Sequence, residues 1–315
     1  MLWKILDYVM LLRPTLFFPT WFFFLLGIFW ARKAETYFSV NLKIFNKNFI
    51  LTFLSLTFLS GFCYILNQIY DKESDKLNKK LFLLPEGYIS LKSAYIYAFF
   101  VLFLSFILIL PVFLHNRIVL LFWGLILLFG ILYSVPPFAF KRKPFLDMLT
   151  NGLGYGVLAF LMGYSLFSKM NIFAIKLSIS YFLAVCYTYV FTTIPDIEGD
   201  KKTGERTVGV ALGYNGSILF GISLLVLAIF YSLYLSDWIV FGLSIITLPF
   251  ALLSFFKKDK IFWSKITYRT NSFLLAIYIF YKYPFMLILG LFFFFLMRYY
   301  YKKRFGLIYP SFLGR

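Results

Sequence analysis

Residues 49–75 read FILTFLSLTFLSGFCYILNQIYDKESD, an apolar run that closes on a cluster of charge. The run from 49 to 70 meets the length of about 20 residues that a helix needs to cross a bilayer. It has none of the short strict alternation expected of a barrel strand. Further runs of the same kind occupy about 15–30, 94–114, 118–133, 149–167, 172–194, 217–235 and 238–256. The stretch 272–300 is long for one helix and short for two. Lys282-Tyr283-Pro284 interrupts it, and a membrane proline is compatible with either a kink or a break. With 62% hydrophobic and 23% aromatic residues among 315, the chain departs from soluble domains, which are roughly half apolar. It reads as an all-α integral membrane protein, one helical domain over 1–315.

The formal net charge of +18 is divided among short loops between apolar runs. That is the distribution of the positive-inside rule and of contact with anionic lipid headgroups, and it speaks against nucleic acid as a partner. Placing the N-terminus in the cytoplasm puts connections 71–92, 139–146, 195–207 and 257–269 on that side, where most loop Lys and Arg lie. Two features resist this. Arg32, Lys33, Lys43 and Lys47 would be external, and Lys302, Lys303 and Arg304 would follow unless a tenth span returned the chain. Residues 1–13 mix Lys4, Asp7 and Arg13 with Trp3, Ile5, Leu6 and Met10. They read as an interfacial amphipathic helix rather than a cleavable signal.

Two acidic clusters stand out against this background. Asp71, Glu73 and Asp75, with Asp196, Glu198 and Asp200, make up six of the thirteen carboxylates, all at the ends of apolar runs. Acids in that setting are costly and point to function. Residues four apart share a helix face, so Asn67, Asp71 and Asp75 align over roughly 12 Å. Asp196 and Asp200 repeat the spacing, with Gly199 expected to let the chain leave its helix. Two such pairs facing each other form an oxygen-rich cleft suited to Mg²⁺, which readily shares ligands with substrate phosphates. Glu73 and Glu198 read as ordinary solvated partners of nearby lysines. Cys63 and Cys186 are isolated and read as core, and His115, the one histidine, sits in a short turn.

The series Asn67-x-x-x-Asp71-x-x-x-Asp75 with Lys76-Leu77-Asn78, and Asp196-Ile-Glu-Gly-Asp200 followed by Lys-Lys-Thr-Gly204-Glu-Arg-Thr207, resembles the UbiA family of intramembrane prenyltransferases. Leu12-Arg13-Pro14-Thr15 and Tyr133-Ser-Val-Pro-Pro137 with Lys141-Arg142 match two further family segments in the same order. The resemblance implies a bundle of about nine helices whose acidic segments bind Mg²⁺, with Mn²⁺ as a substitute, and the diphosphate of an isoprenoid donor. Asn67, Asp71, Asp75, Asp196 and Asp200 would then carry metal, and the four aspartates are the catalytic candidates. Arg13, Asn67, Tyr133, Lys141 and Arg142 would contact substrate. The isoprenoid would pass to a lipophilic acceptor such as a quinone precursor, a carotenoid or another lipid, in a prokaryotic plasma membrane and with no obligate protein partner.

The sequence departs from the family pattern after the first cluster. Residues 78–87 lack the Arg and the first Pro of many relatives, and with that Arg the phosphate contact it would make. Gln68 stands where several relatives have Asp. The segment Phe145-Leu-Asp147-Met-Leu-Thr-Asn151-Gly152 is similar to the carotenoid-elongating and lipid-modifying branches. A cation-coupled transporter is the rival reading of acids in a helical bundle. Transporter sites tend to lie near the bilayer midplane on broken helices, whereas these acids stand at span ends.

Overall fold

The computed structural model describes residues 2–32, 44–78 and 83–309. The connection holding Lys33 and Lys43, and residues 79–82 of the segment after the first acidic cluster, lie outside them. The apolar run at 49–70 folds as α3 (Lys47–Asn78), which continues past its last apolar residue through the whole first cluster. Before it come α1 (Leu2–Leu11) and α2 (Phe17–Ala31). After it come α4 (Leu91–Phe113) and α5 (Arg117–Ser134). A long helix is then assembled from α6 (Leu146–Asn151), a π-helical segment Gly152–Ala159 and α7 (Phe160–Phe167). The remainder is α8 (Ile172–Thr193), the short α9 (Ile197–Thr203), α10 (Val208–Tyr234), α11 (Trp238–Phe256), α12 (Lys260–Lys282) and α13 (Pro284–Phe305). Eight helical stretches among the described residues are long and apolar enough to cross a membrane.

Small and hydroxylated residues set the helix spacing, as expected where lipid removes any hydrophobic drive between helices. A Cβ at Gly27 on α2 would fall 1.9 Å from the Phe160 carbonyl oxygen, and one at Gly163 on α7 would fall 1.9 Å from that of Phe24. The two backbones touch, so each position excludes any side chain. Ser55 and Ser105 donate to each other's carbonyl oxygens at 2.7 Å, and Trp123 Nε1 donates to Ser105 Oγ at 2.8 Å. That triad joins α3, α4 and α5. Tyr187 donates to Asn271 Oδ1 at 2.7 Å and Asn271 Nδ2 to Thr188 Oγ1 at 2.7 Å, which ties α8 to α12. Phe99, Phe100 and Phe103 on α4 are exposed, the pattern of a surface facing lipid tails.

The stretch 272–300 is neither one helix nor a kinked one. Tyr283 adopts φ −131 and ψ 80, outside helical geometry, and Pro284 opens α13 at its first turn, where the missing N–H has no cost. The expected connection 257–269 shrinks accordingly, because α12 begins at Lys260. Trp263, Ile266 and Tyr268 alternate there with Lys260, Lys265 and Arg269, an amphipathic turn that reads as loop when only charge is counted. The end of α13 returns to α1. Tyr300 donates to the buried Asp7 carboxylate at 2.5 Å and Arg304 pairs with it at 3.1 Å.

Candidate active site

The unbroken helicity of α3 holds Asn67, Asp71 and Asp75 in one register, as their spacing requires. Asp71 meets the basic segment: Lys141 Nζ lies 2.5 Å from its Oδ2 and Arg142 lies 3.2 Å from its Oδ1. Both cations belong to a 3₁₀ turn, Phe140–Arg142, bracketed by Ala139 (φ 38) and Phe145 (φ 68). Left-handed geometry costs a non-glycine residue about 1–2 kcal/mol. Of the four such residues described, these two and Arg13 (φ 55) border this site, where stored strain is most often found. Lys141 is 7% exposed. Burial lowers the pKa of its ammonium, and the Asp71 carboxylate pulls in the opposite direction. Arg142 also reaches Glu205 at 3.8 Å, so one basic turn spans from the first acidic segment to the loop after the second.

The second segment is built differently. Pro195 lies in a 3₁₀ turn, Ile194–Asp196, and the chain then re-forms as α9. Gly199 was expected to release the chain but lies inside α9. The exit is Gly204, at φ 73, because a helix stop needs the left-handed conformation just past its last turn. Asp200 accepts a bond from Thr207 Oγ1 at 3.0 Å, and Asp196 is exposed. Glu198 pairs with Lys201 at 3.8 Å on the exposed face, the solvated contact expected of it, and such pairs contribute little.

Among the described residues no three of His, Cys, Asp and Glu come close enough to hold an ion by themselves. The donor set still suits Mg²⁺, which keeps several waters and takes one or two carboxylates together with substrate phosphates. Asp71 and Asp75 on α3, and Asp196 and Asp200 around α9, offer that number on each side.

A cavity of about 300 Å³ reaches Asn67, one turn before Asp71 on α3, and none of the four aspartates lines it. Arg13, Asn67 and Tyr133 line it while Lys141 and Arg142 do not, and Tyr64, Asn151 and Tyr155, to which the sequence reading gave no role, line it as well. Tyr64 donates to the Leu16 carbonyl at 2.6 Å, and its hydroxyl lies 3.3 Å from that of Tyr155. Asn151 and Tyr155 face inward from the junction with the π-helical segment, a form of helix common at functional sites. Their signal was available: an amide followed by Gly152, Gly154 and Gly156 inside an apolar run. Cys63 also lines the cavity while Cys186 is buried, and both thiols are free.

The family pattern described as the UbiA prenyltransferase family matches residues 20–274. The chain is 30% identical over 262 residues to the chloroplastic 2-acylphloroglucinol 4-prenyltransferase of Humulus lupulus, covering 78% of this chain and 62% of that one. It thus spans less than two thirds of the length of that relative. It is 28% identical over 218 residues to the digeranylgeranylglyceryl phosphate synthase of Methanosphaera stadtmanae, covering 69% and 73%. A UbiA homolog from Archaeoglobus fulgidus, solved bound to GPP and Mg²⁺, superposes with a TM-score of 0.62 at 22% identity, covering 86% of this chain and 99% of that one. That likeness gives the fold, and the pattern matched over most of the sequence gives the lineage: the chain belongs to the UbiA prenyltransferase family.

Proposed function

We propose that this protein is a divalent-cation-dependent prenyltransferase, acting as one catalytic unit, that moves an isoprenoid chain from an allylic diphosphate to a lipophilic acceptor. The observation that carries this reading is the meeting of Asp71 with Lys141 and Arg142 next to a cavity lined by Arg13, Asn67 and aromatic rings. Such a site suits a ligand that is an anion at one end and a hydrocarbon at the other.

Ionisation of the allylic C–O bond leaves a diphosphate and an allylic cation. Lys141, Arg142 and Arg13 oppose the charge developing on the leaving group, and preorganised charges of this kind are usually the largest catalytic contribution. Asp71, Asp75 and Asn67 on one side and Asp196 and Asp200 on the other would hold Mg²⁺, which when bound would supply further positive charge to the diphosphate. The rings of Tyr64, Tyr133 and Tyr155 present π-faces that stabilise the cation and a wall that excludes quenching water. The acceptor attacks C1 of the donor, the new bond forms, and one proton leaves the acceptor.

The return of α13 to α1 supports a further crossing beyond the family's nine. With α1 and the last turns of α13 near the side of the acidic segments, where most loop Lys and Arg lie, the positive-inside rule makes that side cytoplasmic, in a prokaryotic plasma membrane. The transporter reading gains no support, since the family and the Humulus lupulus relative are named as prenyltransferases. Membranes holding the protein, incubated with labelled isoprenoid diphosphates of several lengths and Mg²⁺ or Mn²⁺, should yield a labelled lipid identifiable by mass spectrometry. Absence of both lipid labelling and diphosphate release across the series would remove the proposal.

A further inference from the structure

Asp147 is fully buried at the first turn of α6, just beyond the Lys141–Arg142 turn, and the mechanism above gives it no part. Its carboxylate joins three elements. Oδ1 accepts the Met148 N–H at 2.9 Å within α6, and Oδ2 accepts the Val208 N–H at 2.8 Å from the start of α10. The hydroxyl of Tyr189, on α8, donates to Oδ2 at 3.4 Å. Its own carbonyl oxygen accepts from Asn151 Nδ2 at 2.8 Å, and Asn151 lines the cavity.

The bond to Val208 is the informative one. Helix α10 already has an N-cap, because Thr207 Oγ1 accepts from Val210 N, so the carboxylate is not needed to start that helix. Thr207 Oγ1 in turn donates to Asp200 Oδ2 at 3.0 Å. Asp147 therefore grips the residue next to the one that grips Asp200. Tyr189 lies on the helix that leads into Asp196. A buried carboxylate is costly unless its oxygens are all satisfied. Here Oδ1 is satisfied within α6, and Oδ2 by groups on either side of the second acidic segment, Tyr189 before it and Val208 after it.

We propose that Asp147 is a positioning residue that fixes the second acidic segment against the basic turn, and so sets the affinity of the site for a divalent cation together with a diphosphate. This rests on the function proposed above. The test uses the purified full-length protein with Mg²⁺ and a non-cleavable allylic thiolodiphosphate, reading the ligand-induced rise in thermal unfolding temperature alongside steady-state cleavage of the natural donor. In Asp147→Asn the Mg²⁺ concentration giving half of that rise should increase about ten- to a hundredfold, as for groups that orient metal ligands. In cleavage, kcat/KM at low Mg²⁺ should fall much more than kcat at saturating Mg²⁺. Val190→Ala, a cavity in the same small apolar cluster as Met148 and Val208, should lower the ligand-free unfolding temperature and leave the Mg²⁺ midpoint in place.

An unchanged midpoint in Asp147→Asn, or an equal shift in Val190→Ala, overturns the inference. If Asp147→Asn does not fold, Tyr189→Phe decides: a midpoint raised more than about twofold supports positioning, on the same scale of orienting contacts, and an unmoved one refutes it. If the unsubstituted protein shows no Mg²⁺-dependent stabilisation by the analogue, the function proposed above fails and takes this inference with it. A normal response there with an unmoved variant sinks the role of Asp147 alone.

Discussion

The two acidic segments share a spacing and almost nothing else. Asn67, Asp71 and Asp75 stand on an uninterrupted α3, and their helix would hold them in line with or without a ligand. Asp196 and Asp200 sit across a 3₁₀ turn and a short α9 closed by Gly204, and their placement depends on contacts from elsewhere, including Thr207. The same Asp-x-x-x-Asp pattern is thus rigid in one copy and supported in the other. The first half is held by its own helix, and the second by side chains that other elements supply.

Removing charge from either half should have the largest effect. Asp71→Asn and Asp196→Asn are each expected to lower kcat/KM about 10²- to 10³-fold, the loss typical of one electrostatic contact to developing charge, with the folded fraction unchanged. Activity lost only in proportion to folded protein, judged by size-exclusion profile and thermal unfolding, would count against a direct role for either residue. Next in size is the basic turn that bridges the halves. Lys141→Met and Arg142→Met should each slow ionisation or weaken donor binding by roughly ten- to a hundredfold, from about 1.5–3 kcal/mol per contact to a charged group. Donor kinetics in which KM and kcat are both unchanged would leave the turn with no part in diphosphate recognition.

The contrast in rigidity predicts a smaller, asymmetric effect. Gly204→Ala forces a side chain into the left-handed region at φ 73, at a cost of about 1–2 kcal/mol. It should raise the Mg²⁺ requirement several-fold, whereas Gly87→Ala, at φ 76 in the turn before α4, should cost similar stability and leave that requirement alone. Equal Mg²⁺ dependence in the two variants would erase the distinction between a rigid and a supported half. The smallest effect belongs to the thiols. Cys63→Ala with Cys186→Ala should keep activity within about twofold, a difference of under 1 kcal/mol, and a specific large loss would reveal a role for the cavity-lining Cys63.

Much of this was legible from the sequence because bilayer crossing and helical register are local constraints. The run at 49–70 and the four-residue series after it fix both the element and the face, and the structure follows them. What escaped reading depended on tertiary contacts. The start of α12 was hidden because Lys260, Lys265 and Arg269 look like loop charge, and the face buried there is Ser264, Thr267 and Asn271, which carries no apolar signal. The exit at Gly204 was assigned to Gly199 because sequence shows which residues permit a turn and not which one makes it. Tyr64 escaped because a chain with 24 tyrosines gives no sign of which ones face inward, whereas Asn151 and Tyr155 carry a signal in Gly152, Gly154 and Gly156 that a reading for charge passes over. Asp147 was quoted for its resemblance alone, although a lone acid at the edge of an apolar run deserved the same suspicion as the clusters.

The π-helical segment Gly152–Ala159 bears on how this cavity could change in descent. Its i→i+5 pairing fits an additional residue into a helix that otherwise continues straight into α7. Deleting one residue there would let the backbone relax into α-helical pairing with both flanks kept in register, whereas a deletion in the α-helical part beyond it would turn everything that follows by about 100°, given 3.6 residues per turn. In the second case Gly163 would leave its contact with Phe24, and in the first it would keep it. The π-helical segment is therefore the place in this helix where a residue of the cavity wall can be lost without unpacking α7 from α2.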